Sequence, residues 1–432
     1  MNTRVPTIPG DAPAPRDRWI LAASGFMAMA PYVLHHAQFA RLYWFGDEFD
    51  LIDRIDVLGF WKWTWLVFAE NFVPLFKILW GGAVLVLGGS YGAMITLVWL
   101  THACNVMLLG RLMRTCGLAW GAVLLAQIVF ALTSANLETL GWSVQWSAVL
   151  AVTFMFLALN GLFRSRLSWA PAGWAAASAL SFSRGVITGL LLALGALWPG
   201  RDGLGGRLPR RLAFAAACAV PSVVVGALIA LLAPSGNQGH MAGHWGDAAV
   251  FGSWYYCLNP GLRLLGVESW GPRTVVAMGL VKFALMAWTL ARSRGRTRLF
   301  FLILFAFDLA NAALLGIGRY HTGLGAAVSS RYQYASLIGI MPAAGFLLSE
   351  ACGRIPGPRA LRGAALACLL GLAALGAYRG WSDALEPFTT TRGTDSRSLL
   401  LSDQPGGANP VPGFPGFSIV RTRALIAKYH LH

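Results

Sequence analysis

Charge is what this sequence has least of: Asp, Glu, Lys and Arg make up 12% of 432 residues, and only 18 are acidic. Hydrophobic residues reach 56%, and several apolar runs have the roughly 20 residues that cross a hydrocarbon core, so the chain is expected to be a polytopic integral membrane protein. Lysine is nearly absent. The positive charge, net +16, is almost all arginine in short clusters between the apolar runs, a pattern that orients helices and does not indicate nucleic acid. The alternating ten-residue segments of a membrane barrel are missing too, which leaves an all-α fold. Six cysteines build no disulfide framework: Cys104, Cys116, Cys218, Cys352 and Cys368 lie in or at the ends of apolar runs, and Cys257 falls in an expected loop. No convincing small-residue cleavage site follows the Pro-rich start, so the first helix is expected to stay as a signal anchor. No short-period repeat is visible.

Arg16 and Arg18 precede the first apolar run and put the N-terminus in the cytoplasm by the positive-inside rule. Further arginines at 111, 114, 164, 166, 292, 294, 296 and 298 mark later cytoplasmic ends. About eleven membrane segments are expected, N-terminus in and C-terminus out. They include a short hairpin, Trp169–Phe182 and Val186–Trp198, broken at Ser-Phe-Ser-Arg184-Gly185. Three regions follow: a cytoplasmic segment, 1–18; a transmembrane module, 19–380, with an outer loop at 41–91; and a small external tail domain, 381–432. Residues 41–91 read as two interfacial helices, with Trp44, Trp61, Trp63, Trp65 and Trp80 at headgroup level. Residues 235–272 read as a long outer loop.

Five of the few acids, Asp47, Glu48, Asp50, Asp53 and Asp56, fall within ten positions directly after the first apolar run. In helical register Asp50 and Arg54 are spaced to pair, and Asp53 and Asp56 share a neighbouring face, whose plain reading is the solvation of a surface helix. Asp47 and Glu48 follow Gly46 between aromatic residues where the chain leaves the membrane. A carboxylate there has a pKa liable to rise and can take a proton from an incoming nucleophile. Glu70 and Asn71 precede Pro74, where they either cap a helix or, through Glu70, face the same cavity as Asp47 and help to hold an acceptor or a metal. Arginines on the outer side run against the positive-inside bias. Arg184, Arg319 and Arg331, with His321, either snorkel to headgroups or answer a phosphate, whose oxygens guanidinium groups hold bidentately. His240, His244 and Asp247 have helical metal-ligand spacing within a glycine-rich stretch. Asp308 and Asn311 sit inside an apolar run, as a functional site or as a packing pair.

The entry through Gly46-Asp47-Glu48, the Glu70-Asn71-Phe72-Val73-Pro74-Leu75 element and the hydrophobic-Gly-Ser turn that follows resemble the GT-C superfamily of integral membrane glycosyltransferases. The resemblance implies a GT-C-like fold that uses a sugar carried on a polyprenyl phosphate or diphosphate. It implies Asp47 as general base on the acceptor hydroxyl and Glu48 as its support. Arg184, Arg319 and Arg331 would hold the departing lipid phosphate, with His321 beside them. No WWD-type tripeptide is present and the tail is small, so peptide glycosylation is not expected. No cofactor is expected either, and the absence of a compelling metal cluster favours a monophosphate donor and metal-independent chemistry.

The leading expectation is thus a hexosyl- or pentosyltransferase, moving sugar from a polyprenyl phosphate to a glycan or lipid acceptor at the outer face of a bacterial inner membrane. Its partners would be that donor, the acceptor and membrane lipids. The alternatives are a lipid-linked sugar flippase or transporter, and an inactive GT-C-like subunit. A carrier more often shows related halves and charge at the midplane.

Overall fold

The apolar runs fold as helices in a computed structural model that describes residues 15–68, 71–164, 168–198, 208–232, 243–267, 271–401, 410–411 and 414–432. In chain order the main helices are α1 (Pro15–Leu34), α2 (Asp47–Leu58), α3 (Pro74–Val86), α4 (Tyr91–Thr115), α5 (Trp120–Leu132) and α6 (Trp146–Leu162). Then come α7 (Ala170–Ala179), α8 (Val186–Leu197), α9 (Leu208–Leu232), α10 (Trp245–Leu258), α11 (Pro272–Arg292) and α12 (Gly295–Arg319). The last are α13 (Ser330–Gly353), α14 (Arg359–Tyr378), α15 (Trp381–Thr389) and α16 (Ile419–Tyr429). One small antiparallel pair of strands, β1 (Pro410–Val411) and β2 (Phe414–Ser418), precedes α16.

Seven described helices are long and apolar enough to cross a membrane, or eight if Trp120–Leu132 and Ser134–Leu140, bent by 51°, form one span. The architecture is that of an all-α, multi-pass membrane protein. That count falls short of eleven because α7 and α8 have 10 and 12 residues, too few to cross alone, and α1 does not pass the same test. The hairpin break does lie at Ser183–Gly185, between α7 and α8. Gly185 permits it: a Cβ there would stand 1.9 Å from the Ser178 carbonyl oxygen.

Three expectations change. Residues 235–272 are not one long loop: they contain α10, which packs against α12, and the short helix Gly261–Leu264; Cys257 lies on α10. The region at 41–91 holds a short extra helix, Phe60–Thr64, between α2 and α3, joined at Gly59 with φ 77°. Trp44, Trp63 and Trp80 are fully buried in the protein core and so do not contact headgroups, because α2 and α3 close over the neighbouring helices; Trp61 and Trp65 are exposed.

The C-terminal residues pack onto this same region. Arg421 on α16 reaches Asp53 (2.6 Å) and Asp56 (2.9 Å), Lys428 also pairs with Asp56, and the Tyr429 hydroxyl donates to Asp56 (3.1 Å). Asp53 and Asp56 therefore dock a helix and do not merely solvate α2. The chain end closes the contact, with the Tyr91 N–H donating to the His432 carbonyl (2.8 Å) and the His432 N–H to Gly89 (3.1 Å).

Candidate functional site

Gly46, at φ 60°, turns the chain into α2 through a conformation that favours glycine, and so sets Asp47 and Glu48 on the first turn. Their side chains then part. Glu48 is fully buried: it accepts the Phe45 N–H (2.8 Å), the Ser143 N–H (3.1 Å) and the Ser143 hydroxyl. Trp80 donates to the same hydroxyl (3.0 Å). Burial pushes the Glu48 carboxyl up to about 7, although these donors, Arg392 and Tyr91 all favour its ionised form. Its place is that of a keystone joining α2 to the residues before α6.

Asp47 is half-buried and makes no hydrogen bond or ion pair among the described residues. Burial first, and the like charge of Asp50 second, raise its carboxyl above the usual range, while Arg331, Arg319 and Arg392 pull it back. Asp47 thus lies within electrostatic reach of two arginines singled out from the sequence and of a third that was not. Asp50 pairs with Arg54 (Nε to Oδ1, 3.0 Å), as their spacing requires.

Arg392 lies in the π-helical turn Thr390–Asp395. Its Nη2 donates to Glu138 Oε1 (2.9 Å), and its guanidinium stands over the rings of Trp142 (4.3 Å), Phe388 (4.9 Å) and Phe45 (5.1 Å). Gly393 lets the turn approach, because a Cβ there would lie 2.0 Å from the Arg41 carbonyl oxygen. The other oxygen of Glu138 accepts from Ser329 Oγ (2.8 Å) and from the Arg331 N–H (3.2 Å). One carboxylate therefore positions both Arg331 and Arg392. Among the described residues, buried Nε of Arg331 and Nη1 of Arg392 have no hydrogen-bond partner.

Arg184 lies at the α7–α8 break, its guanidinium 4.9 Å from the Phe182 ring and within electrostatic reach of Tyr255 and Tyr332. It is 3% exposed, and among the described residues its Nε and Nη1 also have no hydrogen-bond partner. Tyr332 follows Arg331, whose guanidinium stands 5.1 Å from that ring, so Arg184 and Arg331 approach one strip of α13. Asn71 does not cap α3, where Val73 is the capping residue. It accepts the Ser183 N–H (3.2 Å) and so ties the first loop to the Arg184 turn. Glu70 and His240 lie outside the described residues.

The remaining candidates make other contacts. His321 is exposed beside Tyr320. His244 shares a 2.8 Å hydrogen bond with Asp247 and stacks on Tyr320. Among the described residues no three His, Cys, Asp or Glu side chains gather to hold a metal ion. Asp308 pairs with Lys282 (2.6 Å), and Asn311 donates to the Tyr255 hydroxyl (2.8 Å). Lys282 also donates to the Tyr256 and Asn259 carbonyls (2.7 and 2.9 Å), so the pair ties α11, α12 and the end of α10 together.

Sequence reasoning missed Glu138 and Arg392 as site residues. One signal was there: Thr391-Arg392-Gly393 repeats the Arg-Gly step of Ser183-Arg184-Gly185, and in both the glycine permits close backbone approach.

No family model, curated protein or solved structure matches the chain.

Proposed function

We propose that the chain is a GT-C-type glycosyltransferase that moves a sugar from a polyprenyl-phosphate donor to a glycan or lipid acceptor. The observation that carries this reading is the half-buried Asp47, unpaired among the described residues and within electrostatic reach of Arg319, Arg331 and Arg392. Asp47 takes the proton of the acceptor hydroxyl as that oxygen attacks the anomeric carbon. The bond from that carbon to the phosphate oxygen breaks, and its electron pair leaves on the lipid phosphate. Arg331 and Arg392 meet the growing negative charge, with Arg319 beside them; Nε of Arg331 and Nη1 of Arg392, without partners among the described residues, suit phosphate oxygens. Arg184, close to the same strip of α13, is a further phosphate ligand.

In this reading α1 and the two arms of the α7–α8 hairpin join the eight longer spans to make eleven membrane segments. Asp47 then faces the outside of a bacterial inner membrane, and Arg111, Arg164 and Arg292 face the cytoplasm. The buried Lys282–Asp308 pair is the one observation that favours a lipid-sugar carrier, since ionisable groups at membrane depth often mark a transport path. Its several carbonyl partners favour a structural role instead.

The test is reconstitution of the purified protein in vesicles with a panel of radiolabelled polyprenyl-phosphate sugars and membrane lipid extract. Sugar leaving the carrier supports the transferase. Intact labelled donor that changes leaflet supports the carrier, and neither outcome with bound donor supports an inactive subunit.

A further inference from the structure

The end of α4 away from Asp47 carries a second feature, independent of the glycosyltransfer reading. A groove of about 890 Å³ runs between α1, α4 and α6. Its apolar wall is made by Leu21 and Ala22 of α1, Met107 and Leu108 of α4, and Leu157 of α6. Cys104 is exposed, and Met107, Leu108 and Leu157 are partly exposed, so the groove opens on the outside of the bundle. Three arginines, Arg18, Arg111 and Arg164, line it as well, and among the described residues no acidic side chain does.

Their arrangement is directional. On α4, Cys104 and Arg111 are two turns apart on one face. On α6, Thr153 lies nine residues, roughly 14 Å at about 1.5 Å per residue, before the helix end at Leu162, and Arg164 follows two residues on. The groove is therefore apolar along its length and cationic at one end. Arg111 and Arg164 are close enough to repel each other, and none of the three makes a salt bridge among the described residues. The nearby acid Asp17 is taken by Arg114 (3.8 Å) and by the Trp120 indole (3.2 Å). An elongated apolar channel with an uncompensated guanidinium cluster at its mouth has the charge and shape of a lipid with an anionic head.

The geometry points to a binding site for one anionic diacyl phospholipid of the bilayer, its phosphate held by Arg18, Arg111 and Arg164 and an acyl chain lying against Met107 and Leu157. Position decides between this and the polyprenyl phosphate. Tyr91 starts α4 beside Trp44, next to Asp47, and Arg111 lies twenty residues on, roughly 30 Å away and the thickness of the hydrocarbon core. A headgroup at Arg111 sits at the other membrane face from Asp47.

The chain carries its own probe. Cys104 in the groove and Cys368 on α14 are both exposed, while Cys116 and Cys218 are buried. Purified full-length protein in neutral detergent is alkylated with a maleimide, and each thiol is followed by mass spectrometry as phosphatidylglycerol or phosphatidylcholine is added. Phosphatidylglycerol is expected to slow Cys104 by about fivefold or more with Cys368 unchanged, and phosphatidylcholine to protect neither. The double change Arg111→Gln with Arg164→Gln should abolish protection. The double change Arg294→Gln with Arg296→Gln, at the same end of the bundle but outside the groove, should leave it intact.

Labelling of Cys116 or Cys218 would show that a variant has unfolded. In that case Leu157→Trp, which fills the groove and leaves every charge in place, must remove the lipid dependence. Equal protection by phosphatidylcholine overturns the proposal, as does equal loss in the control variant or protection by polyprenyl phosphate at lower concentration than phosphatidylglycerol.

Discussion

Arg392 reaches from the C-terminal segment to Glu138, donating a 2.9 Å hydrogen bond, while its guanidinium stands 4.3 Å from the centre of the Trp142 indole. Both side chains of the pair are about 15% exposed, so the contact is mostly shielded from water. Through Glu138 it also fixes the backbone N–H of Arg331, and the tail becomes part of the cationic surface facing Asp47.

Glu138→Gln should therefore cost about 1–3 kcal/mol, because it leaves a partly buried guanidinium short of a charged acceptor. Thermal unfolding in detergent checks this. Arg392→Lys is expected to cost a similar amount, since lysine keeps the charge but loses the planar face that stacks on Trp142, Phe388 and Phe45.

Glu48 makes stability depend on pH. Its carboxyl rises to about 7 on folding from an ordinary 4.5, so between those values the folded state holds more protons than the unfolded. The stability it contributes is fully present below 4.5, declines as pH rises toward 7 and is lost above it. The full effect is about 3 kcal/mol. The melting temperature of the wild type should fall from pH 5 to pH 8, and Glu48→Gln should remove that part of the slope.

Gly393 and Gly82 give opposite expectations. A Cβ on Gly393 would meet the Arg41 carbonyl oxygen at 2.0 Å, whereas one on Gly82, inside α3, meets nothing within 4 Å. Gly393→Ala should lower the melting temperature and displace Arg392. Gly82→Ala should raise stability by about 0.5–1 kcal/mol. Equal effects from the two changes would contradict the close approach of the tail.

The docking of α16 can be tested by proteolysis. Lys428 above all, with Arg421 and Tyr429, holds the Asp56 carboxyl below its usual range, so these contacts weaken as pH falls through that lowered value. Asp53→Asn combined with Asp56→Asn should speed protease cleavage before α16 severalfold at neutral pH, and raised salt should act in the same direction.

Local patterns were legible in the sequence and long-range pairings were not. The hairpin break showed because Ser-Phe-Ser-Arg184-Gly185 interrupts an apolar run too long for one span, and the Asp50–Arg54 pair showed because four residues make one helical turn. Arg392 and Glu138 are 254 positions apart, and nothing local in either announces the other. Asp53 and Asp56 looked like a solvated face because their partner Arg421 lies at the far end of the chain. α10 was missed because its Gly-, Trp- and Tyr-rich residues make no spanning run, and its place comes from tertiary contact with α12.

The central claim, that Asp47 is the base and Glu48 its buried support, is tested most directly by single-turnover transfer from a bound radiolabelled polyprenyl-phosphate sugar in wild type, Asp47→Asn and Glu48→Gln. Asp47→Asn should bind donor as the wild type does and slow transfer by about 10²-fold or more, with Glu48→Gln losing less. Transfer that survives in Asp47→Asn and vanishes in a folded Glu48→Gln would contradict it.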